Sequence, residues 1–202
     1  MKEWGLLEGR VGAEELLKME KFCSLIVEWN RSIRLVGPKD TEGVREQIVD
    51  SLLPYLIAEP SFPLLDIGSG AGLPAIPIAI LYPHAEVVCL EPRTKRVSFI
   101  RHAARTLGLS SVSVVEARAD GVAAPEGMES RFSTVTARAV SEIETLLGWA
   151  RPCLAPNGAV ILGRGGEPVA PQVGGYSLQG IEQYGASKNM GKRFVVKYKK
   201  LQ

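Results

Sequence analysis

Near the N-terminus, apolar residues recur at three- and four-residue steps. Leu16, Met19, Cys23, Ile26, Trp29 and Ile33 share one helical face, which predicts an amphipathic helix over 13–33. Gly37-Pro38 breaks it. Asp40 or Thr41 then caps a second helix with Val44, Ile48 and Leu52 on one face and Pro54 near its end. From Phe62 the pattern changes to short apolar runs separated by helical stretches. Strand 62–67 leads to a helix of about 73–82, whose Pro74 and Pro77 fit only a first turn. Strand 86–91 leads to a helix near 93–107, with Val97, Ile100, Ala104 and Leu107 inward and Gly108 as its stop. Strand 112–116 precedes a loosely helical stretch around Pro125-Glu126-Gly127. Strand 132–137 precedes helix 142–151, where Ser141 and Glu144 read as a capping box. Asn157-Gly158 turns the chain into strand 159–163. Beyond a glycine-rich loop at 163–175, two strands near 176–183 and 193–199 read as a hairpin.

Repeated strand–helix units imply an α/β fold with a parallel sheet and right-handed crossovers, and the closing hairpin makes the last strand antiparallel. Two helices in residues 1–58 form an extension that packs on a core of 59–202, in one domain. A chain of 202 residues is long enough for this. With 46% hydrophobic and 23% charged residues it has ordinary globular composition. No run of 18 apolar residues and no secretory h-region is visible, so the cytoplasm is the expected compartment. Cys23, Cys89 and Cys153 are too scattered for a disulfide framework or a metal site.

The most informative segment is Asp66-Ile67-Gly68-Ser69-Gly70-Ala71-Gly72, directly after the apolar run 62–65. A buried strand feeding a glycine turn provides positive φ and lets a ligand approach bare backbone. A helix start after the turn would add unpaired N–H groups and a positive dipole end. The spacing G-x-G-x-G is not the dinucleotide G-x-G-x-x-G, because Leu73 stands where the third glycine would fall, and no Gly-Lys-Ser/Thr follows. The pattern resembles that of Rossmann-like class I S-adenosylmethionine-dependent methyltransferases, which implies a seven-stranded, mostly parallel sheet. The cofactor's methionine end carries a carboxylate and an ammonium, and Asp66 is placed to meet the latter. Glu91 closes the next apolar run, about 20 residues on, where a carboxylate can accept from ribose hydroxyls.

Net charge is only +2, so distribution matters more than the total. Arg93, Lys95, Arg96, Arg101 and Arg105 crowd one segment, and Lys197, Lys199 and Lys200 close the chain. These clusters permit a polyanionic partner without demanding one. After the fourth strand the chain reads Ala137-Arg138-Ala139-Val140, not the Asn/Asp-Pro-Pro-aromatic loop of enzymes that methylate exocyclic amines. Cys153 lies away from the sheet's carboxyl edge and reads as a core residue rather than a nucleophile. His84 and His102 read as surface residues.

Over about 22–164 the chain resembles the small-subunit ribosomal RNA methyltransferase G family, also called glucose-inhibited division protein B. The likeness rests on Glu28-Trp29-Asn30, Ile48-Val49-Asp50-Ser51, the run from Leu65 through Leu73-Pro74-Ala75-Ile76-Pro77, Arg118, Arg138-Ala139 and Arg164-Gly165. It implies methylation of guanine N7 in small-subunit rRNA, with S-adenosylmethionine as cofactor. The partner would be that rRNA or the assembling 30S subunit, and the acting unit a monomer. By the same resemblance Gly68 and Leu73 line the cofactor, with Gly70 and Gly72 shaping the turn. Glu91 holds the ribose, Ala119 and Asp120 border the adenine, and Arg138 stands at the mouth shared with substrate. Arg93, Lys95, Arg96 and Arg164 would grip phosphates. Gln47, Glu91-Pro92 and Gly163-Arg164-Gly165 depart from the family's usual His, Glu-Ser and Leu-Lys-Gly. Other readings are a methyltransferase acting on another RNA or a small molecule, and a cofactor-binding regulator without turnover.

Overall fold

The computed structural model describes residues 2–119, 123–138, 142–165, 172–185 and 191–201. After a 3-10 turn over Lys2–Leu7, helix α1 spans Ala13–Trp29 and buries Met19, Phe22, Cys23, Leu25 and Ile26. It is shorter than the expected 13–33, and Asn30 is the reason. Its Oδ1 accepts from the N–H of Leu35 (2.8 Å) and of Val36 (3.2 Å). Its Nδ2 donates to the carbonyls of Val36 (3.2 Å) and Pro38 (2.8 Å). One amide thus satisfies four backbone groups of the following loop, competing locally with helix continuation. Asn30→Ala leaves those groups unpaired and should cost about 2 kcal/mol, read as a lower denaturant midpoint with unchanged slope.

Helix α2 spans Thr41–Ile57 and starts as expected, with Asp40 Oδ1 accepting from Gly43 N–H (2.8 Å). It is buried on more than one face: Val44, Ile48, Val49, Asp50, Ser51, Leu52 and Leu53 are all inside. It packs on α1 and, in the core, on helix α3 (Ala75–Leu81) and strands β5 (Leu154–Gly165), β7 (Tyr176–Tyr184) and β8 (Arg193–Lys200). Tyr55 ties it down further, its hydroxyl bonded to Thr136 and donating to the Ile161 carbonyl (3.3 Å).

The remaining strands are β1 (Leu64–Ile67), β2 (Val87–Leu90), β3 (Val112–Val115), β4 (Phe132–Ala137) and the two-residue β6 (Gln172–Val173). They form one sheet in the order β3-β2-β1-β4-β5-β8-β7-β6. Strands β1 to β5 are mutually parallel, and β8 runs antiparallel between β5 and β7. This is the expected seven-stranded, mostly parallel sheet, with β6 added at its edge. Helices α4 (Thr94–Thr106) and α5 (Ile143–Ala150) complete the layers. One apolar cluster joins α1, α2, α3 and α4 on one face of the sheet, and a second gathers α5 on the other. The strand order reverses between β1 and β4, so the turn after Ile67 and the chain after Ala137 leave the sheet side by side. In a doubly wound sheet that is where a ligand crevice opens.

Three local expectations change. Asn157-Gly158 is not a turn before β5 but an irregularity inside it, where the register to β4 shifts and Asn157 has φ 63°. A Cβ on Gly158 would sit 3.0 Å from the Phe132 carbonyl oxygen, so bare backbone is what fits there. The stretch around Pro125-Glu126-Gly127 carries no helix among the described residues. Helix α5 has Glu142 as N-cap with no side-chain cap bond, and Ser141 of the expected capping box lies outside the described residues. Among the described residues, no helix is long and apolar enough to cross a membrane.

Candidate functional site

Gly68, Gly70 and Gly72 all adopt positive φ (72°, 58° and 73°), as the turn after β1 requires. A Cβ on Gly72 would come within 2.7 Å of Ile76 Cγ1, so this glycine also lets α3 pack close. The turn's amides are mostly engaged within the chain. Those of Gly68 and Ser69 donate to the Leu90 carbonyl, and those of Gly72 and Leu73 to that of Ser69. The Gly70 N–H donates to Glu91 Oε2 (2.9 Å). The helix that follows has only seven residues. The turn therefore offers shape and room more than the free N–H groups and helix start expected from sequence.

Asp66 is different. Its side chain is completely buried, and neither carboxylate oxygen has a hydrogen-bond partner among the described residues. Ser69 Oγ is close, yet it donates to the Asp66 main-chain oxygen (2.9 Å). Burial pushes the carboxyl up to about 7. The Glu91 charge adds to that, and Ser69, Arg138 and the Ala75 backbone offset it in part. A buried acid left unsatisfied is costly unless something cationic completes it.

Glu91 is 2% exposed and holds two backbone amides, those of Gly70 and of Arg93 (3.1 Å). It binds the glycine turn to the start of α4. A carboxylate has about four acceptor sites, so two remain for hydroxyl donors.

Two cavities open at the carboxyl edge. The first, of roughly 560 Å³, lies over the ends of β1, β2 and β3. It is lined by Gly68, Glu91, Arg93, Arg96, Ala119 and Arg138, all expected from sequence. Arg118 and Trp149 line it too; neither was among the expected site residues, although Arg118 stands in a recognised motif. Asp66, Gly70, Gly72 and Leu73 belong to the same strand end and turn but line neither this cavity nor the next. Asp120 lies outside the described residues. Lys95 is exposed on α4 and lines neither cavity.

The second cavity, of roughly 330 Å³, lies between α2 and the ends of β4 and β5, and Arg164 is in its lining. Arg138 lines both cavities, alone among the described residues. Its guanidinium is not paired with Glu142, a carboxylate close by in sequence. It donates instead to Asp50 Oδ2 (3.0 Å), Gln47 Oε1 (3.1 Å) and the Gln47 carbonyl (3.3 Å). Asp50 Oδ1 accepts from Arg193 Nε (3.2 Å), so one buried acid steadies two arginines. Neither Arg193 nor Asp50 is among the site residues expected from sequence. The only local signal was an acid within the apolar run Ile48–Leu53, which the pattern of a half-exposed helix does not call for.

Cys153 is buried, and burial pushes its thiol up to about 11, the wrong direction for a nucleophile. His84 is exposed and His102 packs half-buried beside Trp29 (5.4 Å between rings); neither lines a cavity.

The family model described as rRNA small subunit methyltransferase G matches residues 15–175. The ribosomal RNA small subunit methyltransferase G of Wolinella succinogenes is 36% identical over 152 residues, covering 74% of this chain and 75% of that protein. Its counterpart from Geobacillus kaustophilus is 34% identical over 164 residues, covering 80% and 68%. Among solved structures, magnesium protoporphyrin IX methyltransferase of Synechocystis with bound SAM shares the fold, with a TM-score of 0.58 at 17% identity, covering 95% of this chain and 99% of that one.

Proposed function

The chain belongs to the rRNA small subunit methyltransferase G family, and on that premise we propose that it uses S-adenosylmethionine to methylate N7 of a guanine in small-subunit ribosomal RNA. The observation that carries this reading is that a cofactor-sized cavity and a second, arginine-lined cavity meet at Arg138. The residues fit the cofactor. The unsatisfied Asp66 carboxylate suits its ammonium, the spare acceptor sites of Glu91 suit ribose hydroxyls, and Ala119 and Trp149 give the adenine an apolar bed. Gly68 lines that cavity, and Gly70, Gly72 and Leu73 continue the same turn; Asp120 is the residue after Ala119 in sequence. Bound S-adenosylmethionine supplies an electrophilic methyl group on sulfonium.

The protein's own share of the chemistry is orientation. Guanine N7 presents an in-plane lone pair and loses no proton when it is alkylated, so no general base is required. That suits a site in which no histidine lines either cavity and Cys153 is inert. Arg138 is the residue positioned to fix the base against the cofactor and to keep water from the space between them. Arg93, Lys95 and Arg96 sit along the start of α4 and suit phosphates of the RNA, with Arg164 on the substrate side. The acting unit in this reading is a monomer, with the described linings of both cavities drawn from one chain, and its place of work is the cytoplasm, where ribosomes are assembled.

Two expected results follow from these roles. Affinity for S-adenosylhomocysteine depends on Asp66 being ionised, with Glu91 and Arg138 as its charged neighbours. With the carboxyl near 7, calorimetry should find binding about tenfold weaker at pH 6 than at pH 8, following the ionised fraction. Arg96→Ala should weaken RNA binding and lower the slope of log affinity against log salt by about 1, while leaving the methylated position unchanged. The reading as a whole is tested by mass spectrometry of rRNA nucleosides from cells with and without the gene. Loss of 7-methylguanosine supports it. Unchanged 7-methylguanosine favours another substrate or a regulator without turnover.

A further inference from the structure

We propose that Arg193, on the closing hairpin, is a substrate contact that receives the phosphodiester beside the target guanine. This rests on the reading of the second cavity as the RNA-facing side of the site. Arg193 lies beyond the residues matched by the family model, so nothing in that match assigns it a role.

Three observations carry the proposal. Arg193 opens β8 and faces Gly165 on β5 and Tyr184 on β7 in the sheet register, which brings it to the mouth of the second cavity. Gly165 makes room for it, since a Cβ there would come within 2.5 Å of Arg193 Nη1. The guanidinium therefore lies across bare backbone beside Arg164. It is also held while remaining unsaturated. Nε is committed to Asp50 (3.2 Å), while both Nη groups have no acceptor among the described residues. The side chain is 28% exposed, so those donors reach the cavity mouth.

Charge decides what they meet. The cavity lining holds three arginines, Arg138, Arg164 and Arg193, against one acid, Asp50. Asp50 is already shared between two of them, which leaves an excess of positive charge in a half-enclosed space. A planar fork with two free donors matches the two non-bridging oxygens of a phosphodiester. An RNA strand whose guanine enters between the cavities carries such a group one bond away from the sugar.

The test uses the full chain with small ribosomal subunits that lack the methyl mark. Arg193→Met keeps the stem and removes the charge; Arg193→Lys keeps a charge and removes the fork. For Arg193→Met we expect KM for subunits raised at least tenfold with kcat within threefold of wild type. The salt slope of subunit binding should be lower by about 1, with S-adenosylhomocysteine affinity unchanged by calorimetry. Arg193→Lys should recover the slope and part of the KM. Wild-type KM and slope in Arg193→Met overturn the proposal, as does loss of S-adenosylhomocysteine affinity in a folded Arg193→Met protein. If Arg193→Met does not fold, Arg193→Lys decides alone: a raised KM with normal S-adenosylhomocysteine binding upholds the proposal and a wild-type KM overturns it. A wild-type protein that methylates no rRNA defeats the underlying functional reading as well, which separates that failure from the failure of Arg193 alone.

Discussion

Asp66→Asn should make the ligand-free protein more stable at pH 8 and all but abolish its affinity for S-adenosylhomocysteine. The two effects have one cause. The Asp66 carboxyl is buried without a partner, and its folded-state pKa stands at about 7 against an ordinary value of 3.8. Between those values the folded protein holds a proton that the unfolded chain does not. Stability therefore falls as pH rises from about 4 to about 7 and is level above that. At ~1.36 kcal/mol per pKa unit the ionised acid costs the folded state on the order of 4 kcal/mol. Asparagine has nearly the same shape and no charge to bury. The variant's melting temperature should exceed that of wild type by ~10 °C at pH 8, and the difference should shrink as pH approaches 5. The same substitution removes the anion proposed to meet the cofactor's ammonium. Losing one partner of such a pair costs about 3–5 kcal/mol, so the dissociation constant should rise at least ~100-fold. Thermal scans at the two pH values and calorimetry check both halves. A variant less stable than wild type at pH 8 would mean that Asp66 is satisfied within the protein itself.

Arg138→Ala should cut methylation at least tenfold, a loss of more than ~1.4 kcal/mol of transition-state stabilisation, and should also lower stability. The second effect arises because Arg138 is one of two cations on Asp50, whose side chain is 8% exposed. Removing it leaves that acid with Arg193 alone and frees the Gln47 side-chain oxygen. A cost of about 2 kcal/mol is expected from one lost charge-assisted bond, or a fall of ~6 °C in melting temperature. Assays at a temperature where the variant is fully folded separate the two. Turnover equal to wild type in the folded Arg138→Ala protein would reduce Arg138 to a brace for α2.

Much of the architecture is local and was therefore legible. Strand β4 was read to the residue at 132–137, and β1 to β3 and both hairpin strands fell within two residues of their observed ends. Apolar periodicity and glycine punctuation act within a few residues, so the sequence displays them directly. The same holds for the cavity wall made by Gly68 and Glu91, which lie at consecutive strand ends. What was hidden is long-range. Asp50 meets Arg138 across 88 positions and Arg193 across 143, and no spacing rule links residues so far apart. Trp149 lines the first cavity from α5, an element far in sequence from the glycine turn. Asn30 shows a different gap: its amide overrides a helical pattern that the apolar residues alone would extend to Ile33.

In the proposed reaction a methyl group goes to guanine N7 of small-subunit rRNA at the junction lined by Arg138. Purified protein, small subunits lacking the mark and S-adenosylmethionine labelled in its methyl group test it in one tube. After nuclease digestion and chromatography, label is expected in 7-methylguanosine at about one per subunit with the wild-type protein, with at least tenfold slower labelling for Arg138→Ala. Label in any other nucleoside, or none with a wild-type protein that binds S-adenosylhomocysteine, would contradict it.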